Sequence, residues 1–152
     1  MLEDLLKMVR LTNAFQKIKR VILIKDEEAF ENDAEHSFQL ALTAWYIIEN
    51  DHLDFNFQKV IGYALVHDLV EIYAGDTFVY ADAKHHASKA QRESEAAQRL
   101  AEEFPEFPSL STMIEAYEGQ VDPESRFVFA LDKLLPVIIF IWIMAGFGYA
   151  TA

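Results

Sequence analysis

The sequence predicts an all-α fold, and three observations lead to this prediction. Apolar residues recur at helical spacing in several long segments, as at Phe38, Leu42, Trp45 and Ile48. No segment combines apolar alternation with the turn residues of a β-hairpin. Only 5 glycines and 4 prolines interrupt the 152 residues, of which 52% are hydrophobic. We therefore expect one compact domain, residues 1–152, with about six helices around a single core.

The first half of the chain predicts three helices and one irregular segment. Helical spacing of apolar residues places the first helix at about residues 3–19. Residues 21–35 begin β-branched and become acidic, which is typical of an irregular connection that can carry functional groups. A second helix is expected over 35–49. The third is expected to follow its cap residue Asn56 and to end at Gly75.

The second half predicts one loop and three further helices. Residues 77–86, which include His85 and His86, are expected to form a solvated loop. A polar helix follows over about 87–104, with charged side chains at spacings that pair along one face. A short helix is expected over 110–118. Asp122 is the expected N-cap of the last helix, because a proline follows it at the first helical position.

The C-terminal residues 134–152 carry no charge and approach the length of a membrane span. Pro136, Gly146 and Gly148 interrupt this run, and no basic cluster flanks it. These features favour a helix that is buried in the domain or lies at a subunit interface, and a membrane tail is the alternative.

Charge and composition exclude several classes of function. The formal net charge of −12 opposes binding to a nucleic acid polymer, whereas a small phosphorylated substrate needs only a local cation. Without cysteine there is neither a disulfide framework nor thiolate chemistry, so any metal ligands must be His, Asp or Glu. The N-terminus has acidic residues in its first turn and no uninterrupted apolar region, which predicts a cytoplasmic protein.

An ionisable stripe crosses the otherwise apolar third helix. On a continuous helix His67, Asp68 and Glu71 fall within an arc of about 100°. Burying a carboxylate costs several kcal/mol unless it is paired or binds a cation. Two interpretations fit: a divalent metal, or a His67–Glu71 pair with Asp68 bonded to a nearby backbone group.

Two distant residues add to the metal interpretation. His36 begins an apolar helix, and Asp132 interrupts the apolar run FVFALDKLLPV. Each alone is more often structural, as a satisfied core histidine or an aspartate paired with Lys133. Together with His67 and Asp68 they form a set of two histidines and two carboxylates, which suits Mn, Co, Fe or Zn with open positions for water and substrate.

The order of these residues resembles the H…HD…D signature of the HD-domain metal-dependent phosphohydrolases, over roughly residues 1–140. Four features are similar to those of one branch of this family, the 5′-deoxynucleotidases. They are the basic residue Arg20, EHS at Glu35–Ser37, HDLVEIYAGD at His67–Asp76, and ALDKL at Ala130–Leu134. The resemblance implies a helical HD domain with one divalent ion (Mn, Co, Mg, Fe or Zn) bound between its helices.

The same resemblance implies a role for each matching residue. The implied metal ligands are His36, His67, Asp68 and Asp132. Glu71 resembles the acid that positions or deprotonates the attacking water. Arg20 resembles the residue that contacts the substrate phosphate, and Asp76 the acid that helps to hold substrate or the hydrogen bonds of the site.

We therefore expect a phosphomonoesterase that uses metal-activated water to convert (deoxy)nucleoside 5′-monophosphates to nucleoside and phosphate. One alternative is an HD phosphohydrolase or phosphodiesterase that acts on another nucleotide. Another is a helical regulatory module that does not turn over substrate. The apolar C-terminal run also predicts a homodimer.

Overall fold

The computed structural model describes residues 1–23, 30–75 and 83–145, and it confirms the all-α prediction. The described ranges contain seven helices and one antiparallel sheet of two strands. In chain order the elements are α1 (Leu2–Phe15), β1 (Lys19–Leu23), β2 (Phe30–Asn32), α2 (Asp33–Asn50), α3 (Phe57–Val66), α4 (Glu71–Ala74), α5 (Ala83–Glu103), α6 (Pro108–Glu118) and α7 (Pro123–Met144).

The prediction of an irregular connection over 21–35 is wrong where the structure describes it, since residues 21–23 and 30–32 belong to the small sheet and residues 33–35 begin α2. Residues 24–29 lie outside the described ranges. Lys19 pairs with Asn32 and Leu23 pairs with Phe30, with an irregularity in the register between the two pairs. The alternation of β2 leaves Phe30 exposed and buries Glu31. Three residues are too few for alternation to be recognised in a sequence, because such patterns become informative over about four to eight residues.

The helix predicted between Asn56 and Gly75 is interrupted. Its ends are as predicted, since the Asn56 side chain caps α3 and Gly75, with φ of 75°, ends α4. The four residues between α3 and α4 form turns. There the backbone N–H groups donate to carbonyls three residues earlier, as from Glu71 to Asp68 at 2.9 Å. The 100° arc of a continuous helix therefore does not describe the ionisable stripe.

Of the last three helices, α5 and α6 begin earlier than predicted, whereas α7 begins as predicted. α5 begins at Ala83, so His85 and His86 belong to a helix and the loop predicted for them is wrong. Residues 77–82 of that predicted loop lie outside the described residues. α6 begins at Pro108, two residues earlier than predicted. Asp122 caps α7 as predicted, in a capping box with Ser125.

Two apolar clusters, rather than the predicted single one, form the core, and α3 contributes to both. The first cluster includes Leu11, Phe15, Val66, Leu100, Phe104 and Ile114. The second includes Leu40, Val60, Tyr63, Ala64, Val128 and Leu131. His67 follows Val66 of the first cluster directly, and Asp132 follows Leu131 of the second. His67 and Asp132 are therefore anchored by neighbours that belong to different clusters.

The last helix leaves the core before it ends. In α7 the side chains of Val128, Leu131 and Leu135 are buried, whereas Leu134, Val137, Ile138, Phe140, Ile141 and Met144 are exposed. Among the described helices, only α7 is long and apolar enough to cross a membrane, with a mean hydropathy of 2.2 over 18 residues and 22% of that window buried. Between residues 136 and 145 no side chain is fully buried: Pro136, Ile139, Trp142 and Ile143 are half-buried and the others are exposed. Residues 146–152 lie outside the described ranges.

Candidate metal centre

The N-terminus of α2 places His36 in the interior. Asn32 Oδ1 accepts hydrogen bonds from the backbone N–H groups of Ala34 at 3.0 Å and Glu35 at 3.1 Å. Glu35 Oε2 accepts the Asn32 N–H at 3.0 Å in return, which completes a capping box. This box fixes the start of α2. His36, the residue after Glu35, is fully buried.

His67 and Asp68 enter the site from the turns that follow α3. His67 Nδ1 lies 2.9 Å from the Ala64 carbonyl oxygen. A carbonyl can only accept, so this nitrogen carries the proton and Nε2 presents its lone pair when the ring is neutral. Nε2 lies 2.9 Å from Asp68 Oδ2 but without hydrogen-bonding geometry. A buried imidazole lone pair therefore faces a carboxylate.

Asp132 reaches the same point from the middle of α7. Its Oδ1 lies 2.8 Å from His36 Nε2 and 3.7 Å from His67 Nε2. Its Oδ2 accepts a hydrogen bond from Lys133 Nζ at 2.6 Å. Asp132 is 2% exposed, so the site encloses its carboxylate although the neighbouring lysine extends to solvent.

These four residues form a group that fits a metal ion. Each of His36, His67, Asp68 and Asp132 offers one ligand atom, and these atoms all lie within 4.8 Å of one another. Two imidazole nitrogens and two carboxylate oxygens are a donor set for Zn, Fe, Mn or Co. The buried Nε2 of His67, which lacks a hydrogen bond, is a further feature that a cation would satisfy.

The electrostatics of the group favour the charged form of its acids. Burial raises the pKa of Asp68, but His67 and Arg20 outweigh that effect and hold the pKa well below its usual range. Burial likewise opposes ionisation of Asp132, yet its bond to His36 and its electrostatic interaction with His67 lower its pKa to about 2. Both carboxylates are therefore anionic at neutral pH, as metal binding requires.

His36 lies between two acids. Burial lowers the pKa of His36, and its interactions with Asp132 and Glu31 outweigh this and raise the pKa to about 8. A metal ion and a proton therefore compete for its Nε2, since only the unprotonated nitrogen can be a ligand.

Arg20 lies against the group from β1. Its Nη1 donates to Asp68 Oδ2 at 2.6 Å and to Asp33 Oδ1 at 3.4 Å, and its Nε lies 3.5 Å from Glu31 Oε2. The side chain is 16% exposed, so it is largely enclosed by carboxylates. The sequence predicted a substrate-facing role for Arg20, and its contact with Asp68 brings it next to the four-residue group.

Glu71 begins α4 and is buried, with 6% exposure. Its backbone N–H bonds to the Asp68 carbonyl oxygen at 2.9 Å, so Glu71 follows directly on the turn that carries Asp68. Asp76 lies outside the described residues, so its predicted role stays a prediction.

Two further acids belong to the site, and the sequence did not reveal them. Glu31 and Asp33 are 7% and 0% exposed, and both lie beside Arg20. They belong to β2 and to the start of α2, within the segment that was predicted to be irregular. The run FEND contains no helical spacing and too little alternation to indicate that either acid is buried.

Comparisons with known proteins agree with this geometry. A family model described as "HD domain" matches residues 12–141. The chain is 30% identical over 133 residues to proteins called 5′-deoxynucleotidase HDDC2 from Bos taurus and Homo sapiens. Each alignment covers 86% of this chain but 63% of the relative, so the chain spans less than two thirds of the length of these proteins.

Solved structures show the same fold. A crystal structure of a predicted metal-dependent phosphohydrolase from Magnetospirillum magnetotacticum has a TM-score of 0.78 and 34% identity, covering 91% of this chain and 69% of that one. A conserved hypothetical protein from Pyrococcus furiosus has a TM-score of 0.68 and 23% identity, covering 96% and 89% of the respective chains. At that identity the second likeness concerns the fold alone.

Proposed function

This chain belongs to the HD-domain family, and from that premise we propose that it is a metal-dependent phosphomonoesterase acting on deoxynucleoside 5′-monophosphates. The observation that carries the proposal is the convergence of His36, His67, Asp68 and Asp132, with their ligand atoms within 4.8 Å. The similarity of this chain to the HDDC2 proteins, which bear the name 5′-deoxynucleotidase, supports the proposed substrate class.

The proposed reaction is hydrolysis of one phosphate ester bond. A water oxygen forms a bond to phosphorus, the bond between phosphorus and the 5′ oxygen breaks, and the nucleoside oxygen takes up a proton. A divalent ion held by His36, His67, Asp68 and Asp132 would lower the pKa of water and withdraw charge from a phosphoryl oxygen.

The protein's own groups supply the other parts of this chemistry. Glu71, a buried carboxylate three residues after Asp68, is the proposed base that accepts a proton from the attacking water. The Arg20 guanidinium offers two parallel N–H donors, which suits a phosphate. It also brings positive charge to a site with several buried carboxylates, where a phosphate dianion would otherwise be repelled.

A phosphate-release screen tests the substrate class. The purified protein is incubated with deoxynucleoside and ribonucleoside 5′-monophosphates, each with Mn²⁺, Co²⁺, Mg²⁺ or a chelator. We expect release from deoxynucleotides with metal and none with the chelator. Activity only on cyclic or other phosphodiesters would favour the alternative HD chemistry, and no release from any nucleotide would favour a regulatory module.

Arg20→Lys is expected to raise KM for the nucleotide by about 10- to 100-fold while kcat falls less. Lysine keeps the charge but loses the planar pair of donors, and a hydrogen bond to a charged group contributes roughly 1.5–3 kcal/mol. Steady-state kinetics of the variant measures this effect. Arg126→Lys, on the exposed face of α7, is the matched control. An unchanged KM in Arg20→Lys would place Arg20 outside the phosphate-binding site.

The exposed part of α7 supports a further proposal, that the protein forms a homodimer. The exposed side chains Leu134, Ile138 and Ile141 follow one another at spacings of four and three residues, as in helices that pack together. An apolar surface of this kind is seldom left in water.

Ile138→Glu is expected to convert a dimer to a monomer, because a carboxylate would be buried at the interface. Sedimentation equilibrium measures the mass. Val121→Glu, which changes an exposed valine outside the helix, is the control. A monomeric wild-type protein would contradict the proposal, and a wild-type protein that needs detergent to stay in solution would favour a membrane tail.

A further inference from the structure

In both histidines of the metal centre, Nε2 is the ring nitrogen that faces an aspartate of the group. His36 Nε2 faces Asp132 and His67 Nε2 faces Asp68, so both Nε2 atoms point into the group. For His67 the outer nitrogen is held by the Ala64 carbonyl at 2.9 Å. Such an outer bond sets the tautomer and the ring orientation of a metal-binding histidine.

The outer nitrogen of His36 faces a carboxylate instead. His36 Nδ1 lies 3.5 Å from Glu31 Oε2, and His36 has no exposed surface. The capping box at Asn32 and Glu35 fixes the backbone just before His36, but it does not fix the rotation of the ring. This contact lacks the hydrogen-bond geometry of the His67–Ala64 pair, but Glu31 Oε2 is the acceptor that lies next to His36 Nδ1 and is therefore in a position to orient this imidazole.

The same Glu31 oxygen also lies beside Arg20. Arg20 Nε and Glu31 Oε2 are 3.5 Å apart, and the two residues come from neighbouring positions on β1 and β2, next to the Lys19–Asn32 pair. Glu31 Oε2 thus lies within reach of two cationic or hydrogen-bond-donating groups on different elements, one in α2 and one in β1.

The burial of Glu31 needs such partners. The residue is 7% exposed, and an ionised carboxylate at that depth is unfavourable unless donors surround it. Alternation in β2 turns its neighbour Phe30 to solvent and directs Glu31 inward. The short sheet therefore does more than connect α1 to α2, because it also places the Glu31 side chain in the site.

We propose that Glu31 is a positioning residue that orients both His36 and Arg20, and so joins the metal-binding side of the site to its phosphate-binding side. The inference rests on the proposed function, because His36 is taken as a metal ligand and Arg20 as the phosphate contact. It gives a role to β2, a strand that contains none of the four proposed metal ligands.

The test compares Glu31→Ala and Glu31→Gln with the wild-type protein. Mn²⁺ affinity is measured by isothermal titration calorimetry without substrate, after circular dichroism and thermal unfolding have shown that each variant is folded. Glu49→Gln, on the exposed face of α2, is the matched control. KM and kcat for a deoxynucleoside monophosphate are then measured at saturating Mn²⁺.

Glu31→Ala is expected to weaken Mn²⁺ binding by about 10- to 100-fold, the usual effect of removing an outer partner of a ligand. At saturating Mn²⁺ its KM should rise more than its kcat falls, because Arg20 also loses the carboxylate beside its Nε, although Asp68 and Asp33 still hold its Nη1. Glu31→Gln keeps an oxygen that can accept the Nδ1–H of His36. Its affinity should therefore lie between those of the wild type and the alanine variant, while the control matches the wild type.

Wild-type Mn²⁺ affinity and KM in folded Glu31→Ala would overturn the inference. If the alanine variant does not fold, Glu31→Gln decides, and wild-type values for both quantities in that variant would likewise overturn it. If the wild-type protein binds Mn²⁺ but releases no phosphate, the proposed function fails while the inference about Glu31 can still be tested. The comparison of Mn²⁺ affinities does not depend on turnover. A wild-type protein that does not bind Mn²⁺ would contradict both.

Discussion

Asp68→Asn is expected to lose both bound metal and phosphate release. Asp68 Oδ2 lies 2.9 Å from His67 Nε2 and accepts a hydrogen bond from Arg20 at 2.6 Å, so this oxygen is shared by the two sides of the site. Asparagine has nearly the same shape but no charge, and the uncharged oxygen is a poorer metal ligand. The loss of affinity should exceed the roughly 10- to 100-fold that follows removal of an outer partner.

Metal content after dialysis and phosphate release measure these two effects in the same preparation. Asp54→Asn, at an exposed position between α2 and α3, is the matched control and should keep both properties. A folded Asp68→Asn variant that retains one metal ion per chain would remove Asp68 from the proposed ligand set.

Glu71→Gln is expected to keep the metal and to lose most of the rate. Glu71 is buried at the start of α4 and does not belong to the four-residue group. Glutamine cannot accept a proton from water, and general-base catalysis contributes about 10²- to 10⁴-fold. We therefore expect kcat to fall by that factor while Mn²⁺ affinity stays close to that of the wild-type protein.

Single-turnover kinetics and calorimetry separate the two quantities. Glu115→Gln, on the exposed side of α6, controls for loss of an acidic charge from this strongly acidic protein. Loss of the metal in Glu71→Gln would show that Glu71 is a ligand, and an unchanged kcat would show that it is not the base.

The helices and the four-residue group were predictable from the sequence because their signals are local. Asn56, Gly75 and Asp122 mark helix ends through backbone chemistry that involves only their neighbours. His36, His67, Asp68 and Asp132 were recognised as ionisable residues in apolar segments. Their meeting point depended on the resemblance to HD-domain proteins, since residues 96 positions apart carry no local signal of proximity.

The errors arose where tertiary structure overrides local pattern. The turns between α3 and α4 lie in a segment whose apolar residues suit a continuous helix, yet residues 67–70 leave the helix and His67 Nδ1 bonds to the Ala64 carbonyl there. β2 has only three residues, so its burial of Glu31 left no readable alternation. The exposure of α7 beyond Leu135 could not be read either, because an uncharged helix has the same sequence whether a core, a second subunit or a lipid covers it.

The central claim is that one metal site formed by His36, His67, Asp68 and Asp132 carries phosphate ester hydrolysis. The most direct test is a titration of chelator-treated protein with Mn²⁺, in which bound metal and phosphate release from a deoxynucleoside 5′-monophosphate are followed together. The account predicts no release without metal, and a rate that rises with bound metal and saturates at one ion per chain. Full activity in the chelator, or metal binding that does not change the rate, would contradict it.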